Sequence, residues 1–159
     1  MGVDLALLRA VRGAATDPAT VDSVRRFSGL GEHGALWLAI GVTGAVLDRR
    51  RRGRWARGAA AVAGTYALNT AVKYAVRRPR PQLEDLPPLM PTPTQLSFPS
   101  AHAATSFAAA RAYSGLLPAA LLYPAAGAMA LSRVYLGVHY PGDVAAGALL
   151  GGLVGSAAR

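Results

Sequence analysis

Five stretches of this chain run almost free of charge: Leu30–Leu47, Gly58–Val76, Ala101–Leu116, Pro118–Val134 and Asp143–Ala158. Each lies near the short end of the length needed to cross a bilayer, and small residues dominate them, which suits close helix–helix packing. A soluble bundle would require a polar face on every helix, and these segments leave too little of one. The pattern therefore predicts an all-α, integral membrane helical bundle with about five transmembrane helices. Ahead of it, Leu5, Leu8 and Val11 recur at helical spacing, with Arg9 and Arg12 elsewhere on the wheel. Asp17-Pro18 interrupts that run, and Val21, Val24 and Phe27 resume it. Two short interfacial amphipathic helices on the membrane surface are expected there. The expected division is an interfacial segment over 1–29 and a single transmembrane domain over 30–159. Residues 77–100 hold seven prolines, which precludes regular structure and marks a loop covering one mouth of the bundle.

Charge orients this bundle. The chain carries 17 Lys+Arg against 8 Asp+Glu, a net charge of +9, and Lys73 is its single lysine. Six arginines fall within 48–57 (Arg49, Arg50, Arg51, Arg52, Arg54 and Arg57), between the first two expected spans. A loop of that kind faces the cytoplasm. Counting outward, the N-terminus and the 77–100 and 134–142 connections lie outside, and 113–118 and Arg159 inside. Arg77, Arg78 and Arg80 then sit outside, against the simple rule, which fits arginines that serve a site. No aromatic interleaving accompanies the basic block, so nucleic-acid binding is not expected. With no cysteine in the chain, thiolate catalysis and cysteine-ligated metals are excluded.

Candidate chemistry then falls at one end of the bundle. His139 and Asp143 are four residues apart, so a helix starting near Pro141 lets the carboxylate accept one imidazole N–H. The other ring nitrogen is then free to act as nucleophile or general base. Arg133, six residues upstream, adds a planar cation suited to phosphate or carboxylate. Ser100 is a good N-cap for the third span, and the amides behind it form a ready anion site; capping alone also accounts for it. His102, in the first turn, is placed either to donate a proton or to sit at the interface. Lys73, near the outer end of the second span, either snorkels to headgroups or joins Arg80 as an anion ligand. His33, beside Glu32, reads as an interfacial histidine.

Taken together, Lys73-x6-Arg80-Pro81, Pro99-Ser100-Ala101-His102 and Ser132-Arg133-x5-His139-x3-Asp143 resemble the three signature motifs of the type 2 phosphatidic acid phosphatase superfamily. The match spans 73–143 in the right order with every charged position present. Ala101 stands where that superfamily usually has glycine, and it keeps the backbone amide. The resemblance implies a catalytic set of His139, His102 and Asp143. His139 attacks phosphorus to form a phosphohistidine, Asp143 orients it, and His102 protonates the leaving alcohol. Lys73, Arg80, Ser100, Ala101 and Arg133 bind the phosphate. Neither a cofactor nor a catalytic metal is implied, since Glu84, Asp85 and Asp143 are too few for a two-metal cage.

The expected partners are the membrane and a lipid phosphate, and the expected place is the bacterial plasma membrane with the site on the extracytoplasmic face. Within the superfamily, the short length and the Gly31-Glu32-His33 lead-in are similar to actinobacterial members that dephosphorylate decaprenylphosphoryl-5-phosphoribose. Undecaprenyl diphosphate, phosphatidylglycerophosphate and phosphatidic acid are the alternative substrates. Two alternative classes stand beside this: a non-catalytic lipid-binding membrane protein, and a phosphotransferase using the same residues. Gly147-x3-Gly151-x3-Gly155 on the last span is either a dimer face or a packing stripe inside the bundle.

Overall fold

The computed structural model describes residues 2–159, whose regular structure is all helical with no β-strand among them. Helices α1 (Val3–Gly13) and α2 (Pro18–Gly29) are separated by a turn at Asp17. The Asp17 carboxylate caps α2, accepting from the backbone N–H of Thr20 at 2.8 Å and of Ala19 at 3.4 Å. Pro18, at the first helical position, fixes a helical φ and forfeits only an N–H that the helix does not use. A 3-10 turn over Glu32–Gly34 leads into α3 (Ala35–Leu47). Gly34 has φ +72°, and a Cβ there would lie 3.2 Å from Val62 and 3.3 Å from Thr105, so conformation and proximity both require glycine. A second 3-10 turn (Arg49–Arg51) precedes the long α4 (Arg52–Val76). The proline-rich stretch 77–100 contains no helix, and α5 (Ala101–Tyr113), α6 (Ala119–Tyr135) and α7 (Pro141–Ala157) follow.

Helix α5 is the axis of the bundle. Ten of its thirteen residues are buried, five of them alanines at full enclosure, and α4, α6 and α7 pack around it. The glycine stripe of α7 explains how closely α7 approaches. A Cβ at Gly147 or Gly155 would lie 2.5 Å from the carbonyl oxygen of Ser100 or Ala108, and one at Gly151 would overlap the Ala104 carbonyl. The stripe therefore packs inside the bundle. Away from the site, Trp37, Trp55, Val62 and Tyr113 form the main apolar cluster, and their polar atoms are paired. Trp37 Nε1–H donates to Ser106 Oγ at 2.8 Å, and the Tyr113 hydroxyl donates to the Trp37 carbonyl at 2.9 Å.

No single helix among the described residues is long and apolar enough to cross a membrane, but α2 and the Glu32–Leu47 stretch pass together as a pair bent by 43°. The first apolar stretch, expected from Leu30, becomes α-helical only at Ala35 because 30–34 is spent on the turn. Helix α4 has the length, at 25 residues, but carries Arg52, Arg54 and Arg57 in its first two turns. Large apolar side chains point outward on several helices, among them Val42, Val46 and Leu47 on α3, Leu68 and Val76 on α4, Leu121 and Leu131 on α6, and Leu149 and Leu153 on α7.

Candidate active site

The C-terminal ends of α4 and α6 and the N-terminal ends of α5 and α7 meet at one end of the bundle, and every motif residue collects there. Asp143 is the hub. At the third position of α7, its Oδ2 accepts from the backbone N–H of Tyr140 at 2.9 Å, which closes the helix start. The same oxygen accepts from the Ser97 hydroxyl and lies 3.5 Å from His139 Nδ1. Its Oδ1 accepts from Arg78 Nη1 at 2.8 Å. Asp143 is fully buried, as is Ser97, whose Oγ is also 3.4 Å from His139 Nδ1. These contacts place the imidazole proton on Nδ1 and leave Nε2 with its lone pair. Burial pushes the His139 pKa down to about 3; the hydrogen bond its Nδ1–H donates to Asp143 opposes this, and the charges of Arg80, Arg133 and Lys73 reinforce it. A neutral imidazole with Nε2 unprotonated is the nucleophilic form.

Three cations line the same cavity as His139, and Arg80 is the one in contact with Nε2. Arg80 Nη1 lies 3.1 Å from it and donates to the Val138 carbonyl at 2.7 Å, while Arg80 Nε donates to the Thr94 carbonyl at 2.8 Å. Arg133, 2 % exposed, reaches Ser28 Oγ at 2.6 Å through Nη1 and approaches Met90 Sδ at 3.1 Å; its Nε has no partner. The Lys73 Nζ donates to three carbonyls, of Leu96 at 3.2 Å, Ser97 at 3.3 Å and Pro99 at 3.1 Å. Lys73 thus pins the loop segment that leads into α5. Ser100, wholly buried, caps α5 by accepting from Ala103 N–H at 3.5 Å, and its own N–H donates to the Asp143 carbonyl at 3.0 Å. Ala101 and His102 follow at the helix start. His102 Nε2 lies 3.1 Å from the Ser28 carbonyl and 3.8 Å from Glu32 Oε2.

A cavity of about 120 Å³ lies among these groups, lined by Lys73, Arg80, Ala101, His102, Arg133 and His139 together with Glu32, His33, Asn69 and Thr70. Three cations and a helix start facing one small cavity form a site for a tetrahedral oxyanion. On the far side of Arg80 a larger space of about 550 Å³ opens beneath the proline-rich loop.

Six residues near the site were not singled out by sequence reasoning. Arg78, expected there among the outer arginines that serve a site but given no role, bridges Asp143 Oδ1 and Asp4 Oδ2, the latter at 2.7 Å, with its guanidinium 4.1 Å above the Tyr140 ring. Burial works against the Arg78 charge, and the bond to Asp4 with the charges of Asp143 and Asp4 outweighs it, raising its pKa. Asp4 also accepts from the Gly142 N–H at 2.7 Å. Ser97, Ser28 and Glu32 contact the histidines as described. Asn69, one turn before Lys73 on α4, is fully buried, and neither amide atom has a partner within the chain. Its i, i+4 relation to Lys73 was the one available signal. The N-terminal arginines hold the loop: Arg9 pairs with Asp85, Arg12 donates to the Pro87 carbonyl at 2.8 Å, and Arg25 to the Leu89 carbonyl at 2.7 Å. Arg12, assigned to the polar side of α1, is consequently buried.

Comparison with known proteins agrees with this geometry. The PAP2 superfamily model matches residues 55–159. The decaprenylphosphoryl-5-phosphoribose phosphatase of Mycobacterium tuberculosis is 42% identical over 158 residues, covering 96% of this chain and 87% of the relative. That of Mycolicibacterium smegmatis is 40% identical over 149 residues, covering 92% of this chain and 81% of the relative. Among solved structures, Aquifex aeolicus LpxE superposes with a TM-score of 0.84 at 26% identity, covering 99% of this chain and 95% of that one. The transmembrane PAP2 type phosphatidylglycerolphosphate phosphatase of Bacillus subtilis superposes with a TM-score of 0.76 at 23% identity, covering 99% and 85%, and shares the fold.

Proposed function

The chain belongs to the PAP2 superfamily, and from that premise we propose that it is a membrane phosphatase that removes the terminal phosphate from a polyprenyl-linked phosphosugar of the decaprenylphosphoryl-5-phosphoribose type. The observation that carries the reading is the cavity in which a neutral histidine, backed by a buried carboxylate, faces three cations and a second histidine. The names of the 40–42% identical mycobacterial relatives supply the substrate.

In this mechanism His139 Nε2 attacks phosphorus in line as the bond to the leaving oxygen breaks. Asp143 and Ser97 hold the Nδ1 proton and stabilise the positive charge that grows on the ring. His102, as the imidazolium beside Glu32 and the bound phosphate, gives its Nε2 proton to the departing alkoxide and is left neutral. Water then attacks the phosphohistidine, His102 takes its proton, the P–N bond breaks and inorganic phosphate leaves. Arg80, Arg133 and Lys73 with the amides at 101–102 balance the charge on the non-bridging oxygens, the main requirement of phosphoryl transfer.

The protein sits in the bacterial plasma membrane with five spans, α3 to α7, and its site on the extracytoplasmic side. The outward Val and Leu side chains of α3, α6 and α7 support this, because exposed apolar area of that extent seeks lipid. Helix α5, about 20 Å long at 1.5 Å per residue, has no lipid face and need not match the bilayer thickness. The arginines of 49–57 lie at the end remote from the site, as a cytoplasmic loop would.

Purified protein in detergent tests the reading. Phosphate release from the phosphosugar lipid should survive EDTA, be blocked by vanadate and be lost in His139→Ala. Wild-type turnover in His139→Ala would overturn it.

A further inference from the structure

Among the residues that line the catalytic cavity without binding or transferring phosphate, Glu32 and Asn69 stand out. Glu32 is a carboxylate lining a site whose other charges are positive, and its Oε2 stands 3.8 Å from His102 Nε2. Asn69 is fully buried against the same cavity with its amide oxygen and nitrogen both unpaired. A buried amide left without partners is costly unless something entering the cavity pairs with it.

Where these groups sit fixes what they meet. Phosphorus must lie at His139 Nε2, and the leaving oxygen must lie within reach of His102. The group that carries the leaving oxygen therefore lies on the Glu32 side. A carboxylate there accepts hydrogen bonds from hydroxyls and repels a second phosphate. Asn69 offers one donor and one acceptor pair, the complement of a hydroxyl, which also both gives and takes. The neighbouring Thr70 hydroxyl is spent on the Tyr66 carbonyl at 2.9 Å, whereas the Asn69 amide keeps its full capacity.

We propose that Glu32 and Asn69 form a hydroxyl-reading surface beside His102, selecting a leaving alcohol that bears further hydroxyls, such as a pentose, and rejecting one that is itself a phosphate. This rests on the reading of His139 as nucleophile and His102 as proton donor. It goes further by assigning the choice of headgroup to two side chains outside the phosphate-binding set.

The test uses full-length protein in detergent with three probes: farnesylphosphoryl-ribose 5-phosphate, its 2,3-dideoxy analogue, and farnesyl diphosphate. Wild type should prefer the hydroxylated probe over the dideoxy one by roughly 30- to 100-fold in kcat/KM, the scale of two lost hydrogen bonds, one to a charged group. Glu32→Ala should shrink that preference about tenfold and at the same time raise turnover of farnesyl diphosphate, as a like charge is removed. Glu32→Gln, which keeps an acceptor, should raise farnesyl diphosphate turnover while holding most of the hydroxyl preference. Asn69→Ser should weaken the preference with a smaller change in packing than alanine. Equal losses on all three probes in Glu32→Ala would overturn the proposal, since Glu32 would then act on every leaving group through His102. An unchanged preference in both Glu32→Ala and Asn69→Ser would overturn it too. A wild-type enzyme that hydrolyses farnesyl diphosphate faster than the ribose probe would instead sink the substrate reading itself.

Discussion

Replacing Arg78 by alanine tests whether the nucleophile depends on a contact that no motif records. Asp143 is fully buried, and its carboxylate takes four donors: the Ser97 hydroxyl, the Tyr140 N–H, the neutral His139 Nδ1–H and the Arg78 guanidinium. Only the last is charged. A hydrogen bond to a charged group contributes about 1.5–3 kcal/mol. The Arg78 side chain is 33% exposed, so water partly replaces it and the lower end applies. A loss of about 1.5 kcal/mol in the alignment of Asp143 corresponds to roughly a tenfold fall in kcat. Arg78 does not line the catalytic cavity, so KM should stay within about twofold. Arg78→Lys keeps the charge but cannot bridge two carboxylates in a plane, and should recover only part of the rate. Asp4→Asn should cost about threefold by loosening the same guanidinium, and the double variant should be no worse than Arg78→Ala, because the two act as one unit. Steady-state phosphate release in detergent, with thermal unfolding of each variant alongside, makes the measurement. An Arg78→Ala enzyme with kcat within twofold of wild type, or losses that multiply in the double variant, would refute the clamp.

Three further outcomes are expected. Because the His139 pKa is depressed to about 3, its unfolded imidazole binds a proton below pH 6.5 while the folded one does not. Stability should therefore be full above that value and fall as pH drops from about 6.5 towards 4, with a shallower slope in His139→Asn, read by denaturation in detergent across that range. Gly151→Ala drives a Cβ into the Ala104 carbonyl and should lower stability by about 1–3 kcal/mol without changing the oligomeric state; light scattering that showed altered oligomers in a stable variant would return the stripe to an intermolecular role. In the cysteine-free chain, Glu84→Cys should react with an impermeant thiol reagent added to intact cells and Gly53→Cys should not. The reverse pattern would invert the topology.

The all-helical fold and the gathering of the motif residues at one end of the bundle were legible because both depend on local rules. Apolar segments announce helices, and residues placed at helix ends share a membrane face once the segments alternate in direction. The His139–Asp143 spacing was readable for the same reason, as was the capping by Ser100. Span boundaries were less so. Helix α4 begins six residues before its apolar stretch because Arg52, Arg54, Ala56 and Arg57 are good helix formers that outweigh Gly53, and α3 begins five residues late because Gly34 demands a turn.

Tertiary partners were beyond reach wherever chain separation hid them. Charge counting treats each arginine as topology, yet Arg9, Arg12 and Arg25 hold the proline-rich loop, and Arg78 holds Asp143 and Asp4. These contacts cross the expected boundary at residue 29, as do those of Ser28 to Arg133 and to His102. A proline-rich loop has no hydrogen-bonded frame of its own, so its shape must come from side chains that reach its carbonyls. Guanidinium groups and one ammonium meet that need with several donors each. The arginine content of this chain is thus only partly a membrane signal; a share of it exists to give form to a segment that cannot form itself. Lys73 shows the consequence most directly, since the single lysine of the chain spends three hydrogen bonds on the loop carbonyls that position Ser100 and His102.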